Sequence, residues 1–303
     1  MNKMIVPLFA AVIAGVLCQG CGDASQKEFK SYQTGAEQGN AEAQFKLGEC
    51  YIKGEGGVSY NSSEAIKWFR KAADQGYAAA QIQLGKCYDE GRGVKKNETE
   101  AVKWFEKAAE QGNADIQIEL ARRYAKGRGV KKNEAEAGKW FDKAASQGAE
   151  QQKKVAEIQY ELGDDLRLRD NTEAARWYRR AANQGNVKAK DRLINLYAFS
   201  LSMPKDEAAE AANWLSKFAE QGNAKAQYAM GWIYDSHLFK YAEAVKWYSK
   251  AAEQGNVNAQ RKMGFCYRFG QGIPKNHEMA KMWYAKAAAQ GDAVAKKALS
   301  EMY

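Results

Sequence analysis

The sequence predicts an all-α protein built as a stack of about seven helix–turn–helix units. Three observations carry this. A Gln-Gly pair recurs at Gln38, Gln75, Gln111, Gln147, Gln184, Gln221, Gln254 and Gln290, at intervals of 33 to 37 residues. A Tyr stands thirteen residues after each Gln, from Tyr51 to Tyr303, and a Trp seven residues before each of the last seven, from Trp68 to Trp283. Only 3 of 303 residues are Pro and 45% are hydrophobic, which suits a folded, helix-rich chain. A fixed period of this size marks one supersecondary unit repeated. The length would otherwise suggest two closed domains, but a stack grows by adding units and has no core to saturate.

The chain starts with a different kind of segment. Lys3 precedes an apolar run over Met4–Leu17, the length of a signal-peptide core and too short to span a bilayer. Leu17-Cys18-Gln19-Gly20-Cys21 resembles a bacterial lipoprotein lipobox, with Cys18 standing where that pattern expects Leu. The resemblance implies lipidation at Cys21, and Gly22 after it favours the outer membrane; cleavage to a soluble periplasmic or secreted protein is the other outcome. The predicted organisation is a signal peptide over 1–20, an anchor linker over 21–26 and a solenoid over 27–303. Within the solenoid, 27–38 is an N-terminal cap helix, 39–290 the repeats and 291–303 a C-terminal cap helix, as the ends of a stack require.

Each unit reads as helix A, loop, helix B. Gly39 and its counterparts can end a helix at positive φ, and Asn40 can cap the next. Helix A carries an apolar stripe spaced by four, as in Ala43, Leu47 and Tyr51; helix B carries Ala65, Trp68 and Ala72. Gly48, Gly85, Gly231 and Gly264 leave room for a neighbouring helix. Gly-x-Gly loops such as Gly91-Arg92-Gly93 supply a tight turn; no strand precedes them and no Lys-Ser/Thr follows, so they do not read as phosphate loops.

The phrase Ala43-Gln44, Leu47-Gly48, Tyr51, Gly54, then Glu64-Ala65, Trp68-Phe69 and Lys71-Ala72-Ala73, with its copies, resembles the Sel1-like repeat family, a relative of the tetratricopeptide repeat. The resemblance runs from Tyr32 to Tyr303. It implies a right-handed α-solenoid whose A helices line a concave surface, and an adaptor role in holding other proteins. Several bacterial members are secreted or envelope-bound.

Shared positions build such a scaffold, so function is sought where copies differ. Repeats 4 to 6 lose the Gly-x-Gly loop. Eleven and fifteen residues after the Gln, the first three repeats carry polar pairs: Glu49/Lys53, Lys86/Glu90 and Arg122/Lys126. The next four carry Ile158/Leu162, Asn195/Phe199, Trp232/Ser236 and Phe265/Phe269. If this face is exposed in the first half, it predicts an apolar strip for a partner segment, with Ile158, Leu162, Phe199, Trp232, Phe265 and Phe269 as binding candidates. The alternative is that the altered loops of repeats 4 to 6 cover them. Arg92, Lys95, Lys96, Arg128, Lys131, Lys132 and Lys275 form basic loops, read as a solvated edge or as a contact for an acidic partner.

No catalytic, cofactor or metal site is predicted. The two His, His237 and His277, lie in different repeats away from any Cys or carboxylate cluster. Cys50, Cys87 and Cys266 read as small buried apolar residues, since equivalent helices sit too far apart for a disulfide. Ser202-Met203-Pro204-Lys205 matches a serine β-lactamase pattern but lacks its companion motifs and reads as coincidence. A net charge of +9 without a run of five like charges does not indicate nucleic-acid binding. The expectation is a non-catalytic scaffold of the bacterial cell envelope that binds a protein partner, meeting the membrane only through Cys21 and needing no cofactor. A surface-displayed adhesin or effector is the alternative, and a cell-wall or β-lactam hydrolase a minor one.

Overall fold

Asparagine and glycine set where the helices begin and end. Asn40 lies in extended backbone and its side-chain oxygen accepts from the Ala43 amide at 2.8 Å; Gly54 closes the same helix at φ 71°. Asn61 caps the partner helix through the Glu64 amide at 3.0 Å. The cap satisfies a backbone donor that the helix itself leaves unpaired. In the loop between such helices Gly93 is required twice over: its φ is 72°, and a Cβ there would lie 2.5 Å from the Ser62 carbonyl oxygen.

The computed structural model describes residues 25–199 and 203–302. They form sixteen helices, and no strand occurs among the described residues. The leader over 1–20, Cys21, Ser202 and Tyr303 lie outside them. Pro204 occupies the N-cap position of the helix that Lys205 begins.

Two units are distinguished, the first ending at Val155 and the second beginning at Ala156. The first contains α1 (25–37), α2 (Ala41–Lys53), α3 (Ser62–Asp74), α4 (Ala78–Glu90), α5 (Glu98–Glu110), α6 (Ala114–Lys126) and α7 (Glu134–Ala145). α8 (Ala149–Leu166) runs from the first unit into the second. The second continues with α9 (Asn171–Asn183), α10 (Val187–Phe199), α11 (Lys205–Glu220), α12 (Ala224–Ser236), α13 (Tyr241–Glu253), α14 (Val257–Phe269), α15 (His277–Ala289) and α16 (Ala293–Ser300). Even-numbered helices from α2 onward are A helices, and odd-numbered ones B helices.

The Gln of the Gln-Gly pair has a role that spacing did not disclose. Gln44, six residues after Gln38, is 5% exposed and donates to the Ala36 carbonyl at 3.2 Å; Gln75 then donates to the Gln44 side-chain oxygen at 2.7 Å. The same two bonds recur at Gln81 with Gln111 and at Gln117 with Gln147. Each buried amide therefore joins the end of one B helix to the end of the next, and adds a second hydrogen bond to a terminal carbonyl that already accepts from the following glycine amide.

Pair spacing is set by a small residue on helix A facing a ring on helix B. A Cβ on Gly48 would lie 2.6 Å from the Phe69 ring; Gly85 meets Phe105 at 2.7 Å, Gly231 meets Tyr248 at 2.4 Å and Gly264 meets Tyr284 at 2.7 Å. In the fifth copy Ile194 stands where glycine does, and Leu215 replaces the ring; both are buried. Small-to-large on one helix is matched by large-to-small on the other, as close packing demands.

This contact exposes an error in the expected register of the fourth copy. Gly163, not a residue ten after Gln147, faces the ring, its Cβ position 2.8 Å from Tyr178. Gln159, not residue 153, accepts from Gln184 at 3.1 Å, and the Leu166 carbonyl accepts from Asp170 where Tyr51 accepts from Asn61 in the first copy. Ala156-Glu157-Ile158-Gln159-Tyr160-Glu161-Leu162-Gly163 thus repeats Ala41-Glu42-Ala43-Gln44-Phe45-Lys46-Leu47-Gly48, displaced by six residues that lengthen α8 to 18. Tyr160 matches the thirteen-residue rule by coincidence. It occupies the place of Phe45, and its ring meets Tyr178 at 5.8 Å as Phe45 meets Phe69 at 5.6 Å.

The sixth copy has a shortened turn. Phe239 takes φ 54° there, a left-handed conformation unusual for a bulky residue, and is 67% exposed.

The glycine–ring contact makes a quantitative test possible. Gly48→Ala raises helix propensity but overpacks against Phe69, so urea denaturation should show a net loss of about 1–3 kcal/mol. Adding Phe69→Leu should recover part of it, with a favourable coupling energy in the double-mutant cycle. A stabilised Gly48→Ala single variant would contradict the packing argument.

Candidate partner-binding surface

The stripe of helix A opposite the ring contact is where copies diverge. In the first unit it is charged. Lys53 lies 3.8 Å from Glu49 on α2. Between α4 and α6 a groove of about 560 Å³ is lined by Lys86, Asp89, Glu90, Asp115, Glu119 and Arg123 among others. Arg123 is 2% exposed and is held by Asp89 and Glu119, each at 2.8 Å, with its guanidinium 4.8 Å over the Phe105 ring. Burial pushes the Asp89 carboxyl up, but hydrogen bonding and charge from Arg123, with Arg128 adding, outweigh it and hold Asp89 below the usual carboxylate range.

Three side chains of the basic loops are held in ion pairs. Arg92 pairs with Glu90, Lys96 with Glu98 at 3.1 Å, and Arg128 with Asp89 at 2.8 Å.

In the second unit the stripe is aromatic. Phe199 is 59% exposed, Phe265 40% and Phe269 52%; Trp232 is half-buried. Lys262 organises the centre. Its ammonium lies 2.8 Å from the Asp235 carboxylate and over three rings: Trp232 at 4.7 Å, Tyr248 at 5.9 Å and Phe265 at 5.9 Å. Asp235, 8% exposed, also accepts from the Tyr248 hydroxyl at 3.2 Å and from Gln271 at 3.1 Å. Phe265 packs against Phe269 at 4.7 Å with the rings tilted by 47°, and Phe199 touches Tyr228, which meets Tyr248. Phe199 thus packs on buried Tyr228, and Lys262 lies between buried Tyr248 and the rings of Trp232 and Phe265.

Two expected members do not belong. Ile158 and Leu162 are 6% and 5% exposed. The displaced register puts them at the places of Ala43 and Leu47, which are scaffold positions, so they are interior side chains. The true counterparts of the divergent pair in this copy are Asp164 and Leu168, the latter 87% exposed. Four candidates thus remain on the surface, of which Trp232, Phe265 and Phe269 are linked through Lys262 and the Phe265–Phe269 contact.

Cys50, Cys87 and Cys266 are buried and unbridged. Burial pushes the Cys87 thiol up to about 11 and Cys266 to about 12, which keeps both protonated at neutral pH. Among the described residues no group of His, Cys, Asp and Glu could hold a metal, and no helix is long and apolar enough to cross a membrane.

The Sel1 repeat family model matches seven times, over residues 41–77, 78–113, 114–148, 152–186, 195–223, 224–256 and 257–292. The chain belongs to the Sel1 repeat family. Two seams break the run of Sel1 matches, after 148 and after 186. The first falls in the lengthened start of α8, and the second in α10, where Lys190 stands in place of the buried Gln and Ile194 in place of the glycine. Among solved structures, a protective antigen of uropathogenic Escherichia coli strains displaying an SLR fold is 34% identical, with 91% of this chain and 67% of that one covered and a TM-score of 0.41. A Sel1 repeat protein from Oxalobacter formigenes is 28% identical over 90% of both chains, with a TM-score of 0.37. An immunity protein from Pseudomonas aeruginosa is 20% identical, covering 70% of this chain and 81% of that one, with a TM-score of 0.32. No curated protein sequence matches the chain. Sel1 repeats as a class mediate protein–protein interaction and generally serve as non-catalytic scaffolds.

Sequence comparison between copies could have found the Gln ladder, since Gln44, Gln81, Gln117, Gln227 and Gln260 all stand six after a Gln-Gly. The Asp89–Arg123 and Asp235–Lys262 pairs carry no such signal, because each joins residues from different repeats at unlike offsets.

Two outcomes check this description. Ile158→Asp should destabilise the chain by several kcal/mol through an unpaired buried carboxylate, whereas Leu168→Asp should leave the melting temperature nearly unchanged. Asp89 is depressed in the folded state, so its contribution exists above the unfolded carboxylate value and is lost as pH falls through the folded one. Wild type should be more stable than Asp89→Asn at pH 7, and the difference should shrink below about pH 4 in urea titrations at stepped pH.

Proposed function

We propose that this chain is a non-catalytic adaptor of the bacterial cell envelope that holds a partner protein against the A-helix face of its second unit, with Cys21 as lipid anchor and the outer membrane, facing the periplasm, as its site. The observation that carries the reading is the aromatic group of half-buried Trp232 and exposed Phe265, both beside Lys262, with exposed Phe269 packed against Phe265. Aromatic side chains held rigidly at a surface give large contact area at little entropic cost, which is how interface anchors work. The leader over 1–20 with the Cys21 pattern supports the envelope location, and membership of the Sel1 repeat family supports the scaffold role.

A photo-crosslinking amino acid at position 269 should give a discrete adduct in living cells, and the same group at Lys103 on α5 should not. Phe265→Ala with an intact crosslinker should weaken the adduct without changing helicity or melting. Cys21→Ala should move the chain from the membrane to the soluble fraction. Equal adduct patterns at 269 and 103 would remove the face from consideration, and unchanged fractionation of Cys21→Ala would remove the anchor.

A further inference from the structure

The aromatics of the second unit stand in a charge setting that the first unit lacks. Positions four, eight, eleven and fifteen residues after each Gln fall on one stripe of helix A. In α2, α4 and α6 these twelve positions hold five bases, five acids and no large apolar residue. In α10, α12 and α14 they hold Lys188, Arg192, Lys225 and Lys262, no acid, and Phe199, Trp232, Phe265 and Phe269.

The acids that face these bases come from elsewhere and bind them unequally. Lys262 is committed to buried Asp235 at 2.8 Å. Lys188 lies 3.7 Å from Glu157 and Arg192, which also bonds Tyr160, lies 3.7 Å from Asp164, both acids on α8, with these four charged side chains 38–71% exposed. Pairs this open are held weakly, so an incoming carboxylate can exchange with them. Lys225 is exposed at the start of α12. Beside the rings, Arg268 lies 5.3 Å from Phe269 and bonds Glu301 of the C-terminal segment at 3.3 Å.

We infer that the stripe of α10, α12 and α14 takes an acidic segment bearing aromatic or long aliphatic side chains. Its carboxylates meet Lys188, Arg192 and Lys225, and its apolar side chains lie on Phe199, Trp232, Phe265 and Phe269. The inference rests on the scaffold reading above and specifies its partner. A basic segment would meet the like charges of Lys188, Arg192 and Lys225, while Glu157 and Asp164 beside the stripe are already paired with two of them, and such a mismatch excludes partners as firmly as a good match selects them.

The probe is a fluorescent peptide of twelve residues alternating Glu or Asp with Phe and Leu, titrated onto the processed chain. Two controls replace its acids by Lys or its apolar residues by Ser. The acidic–aromatic peptide should bind, each control should bind at least roughly tenfold more weakly, and salt near 1 M, where charges are screened beyond about 3 Å, should weaken it. Phe269→Ala, and separately the triple charge reversal Lys188→Glu, Arg192→Glu, Lys225→Glu, should each weaken binding by roughly tenfold or more. All four side chains are exposed, and circular dichroism should show both variants folded. No binding of the acidic–aromatic peptide, equal binding of the lysine control, or variants that bind like wild type would overturn the inference. If the position-269 crosslinker still yields its discrete adduct in that case, the adaptor reading survives and only the acidic partner falls; if it yields none, both fall.

Discussion

A ring on helix B pressing on a glycine of helix A governs how close the two helices of a pair can come in five copies, while Ala121 and Ile194 take that place in the third and fifth. Gly48 against Phe69 and Gly231 against Tyr248 leave no room for even one added carbon. A lone pair of thirteen-residue helices buries too little surface to be stable alone, so each must also seat against its neighbours. The aromatic contact sets the distance within a pair, and the glutamine ladder joins one pair to the next. Because both use the interior faces, the opposite stripe of helix A is released from structural duty and can vary without cost to the stack.

That freedom explains why the two units present different chemistry on one framework. In the first, charged pairs and the Arg123 network occupy the stripe, and the exposed pairs among them contribute little to stability. In the second, aromatic rings stand at the surface, with Lys262 and Asp235 neutralising each other at the centre. A buried ion pair is weak evidence for stability in itself. Here the Lys262 ammonium lies over three rings at once, so the pair orders the aromatic surface around it.

The fifth copy shows how far the framework can bend. Ile194 and Leu215 exchange sizes across the helix pair, and Lys190 replaces the glutamine that elsewhere bridges to the following copy. Volume is conserved while the polar link is altered, which marks close packing as the stricter of the two requirements.

Helix content, the repeat, the caps and the burial of Cys50, Cys87 and Cys266 were legible in the chain because each follows from local spacing and backbone preference. Register in the fourth copy was not. Gln147 and Tyr160 satisfy the spacing rule, yet six extra residues lie between them and the true start of the motif, and a helix absorbs such an insertion without any local signal. Counting from a landmark therefore placed Ile158 and Leu162 on the surface when they are interior. Only the three-dimensional contacts, Gly163 with Tyr178 and Gln159 with Gln184, identify which residues face inward. The sequence by itself determined what the repeating unit is, since period and propensity act along the chain. Which side chains remain for a partner was decided by tertiary structure alone, because exposure depends on what a neighbouring helix covers.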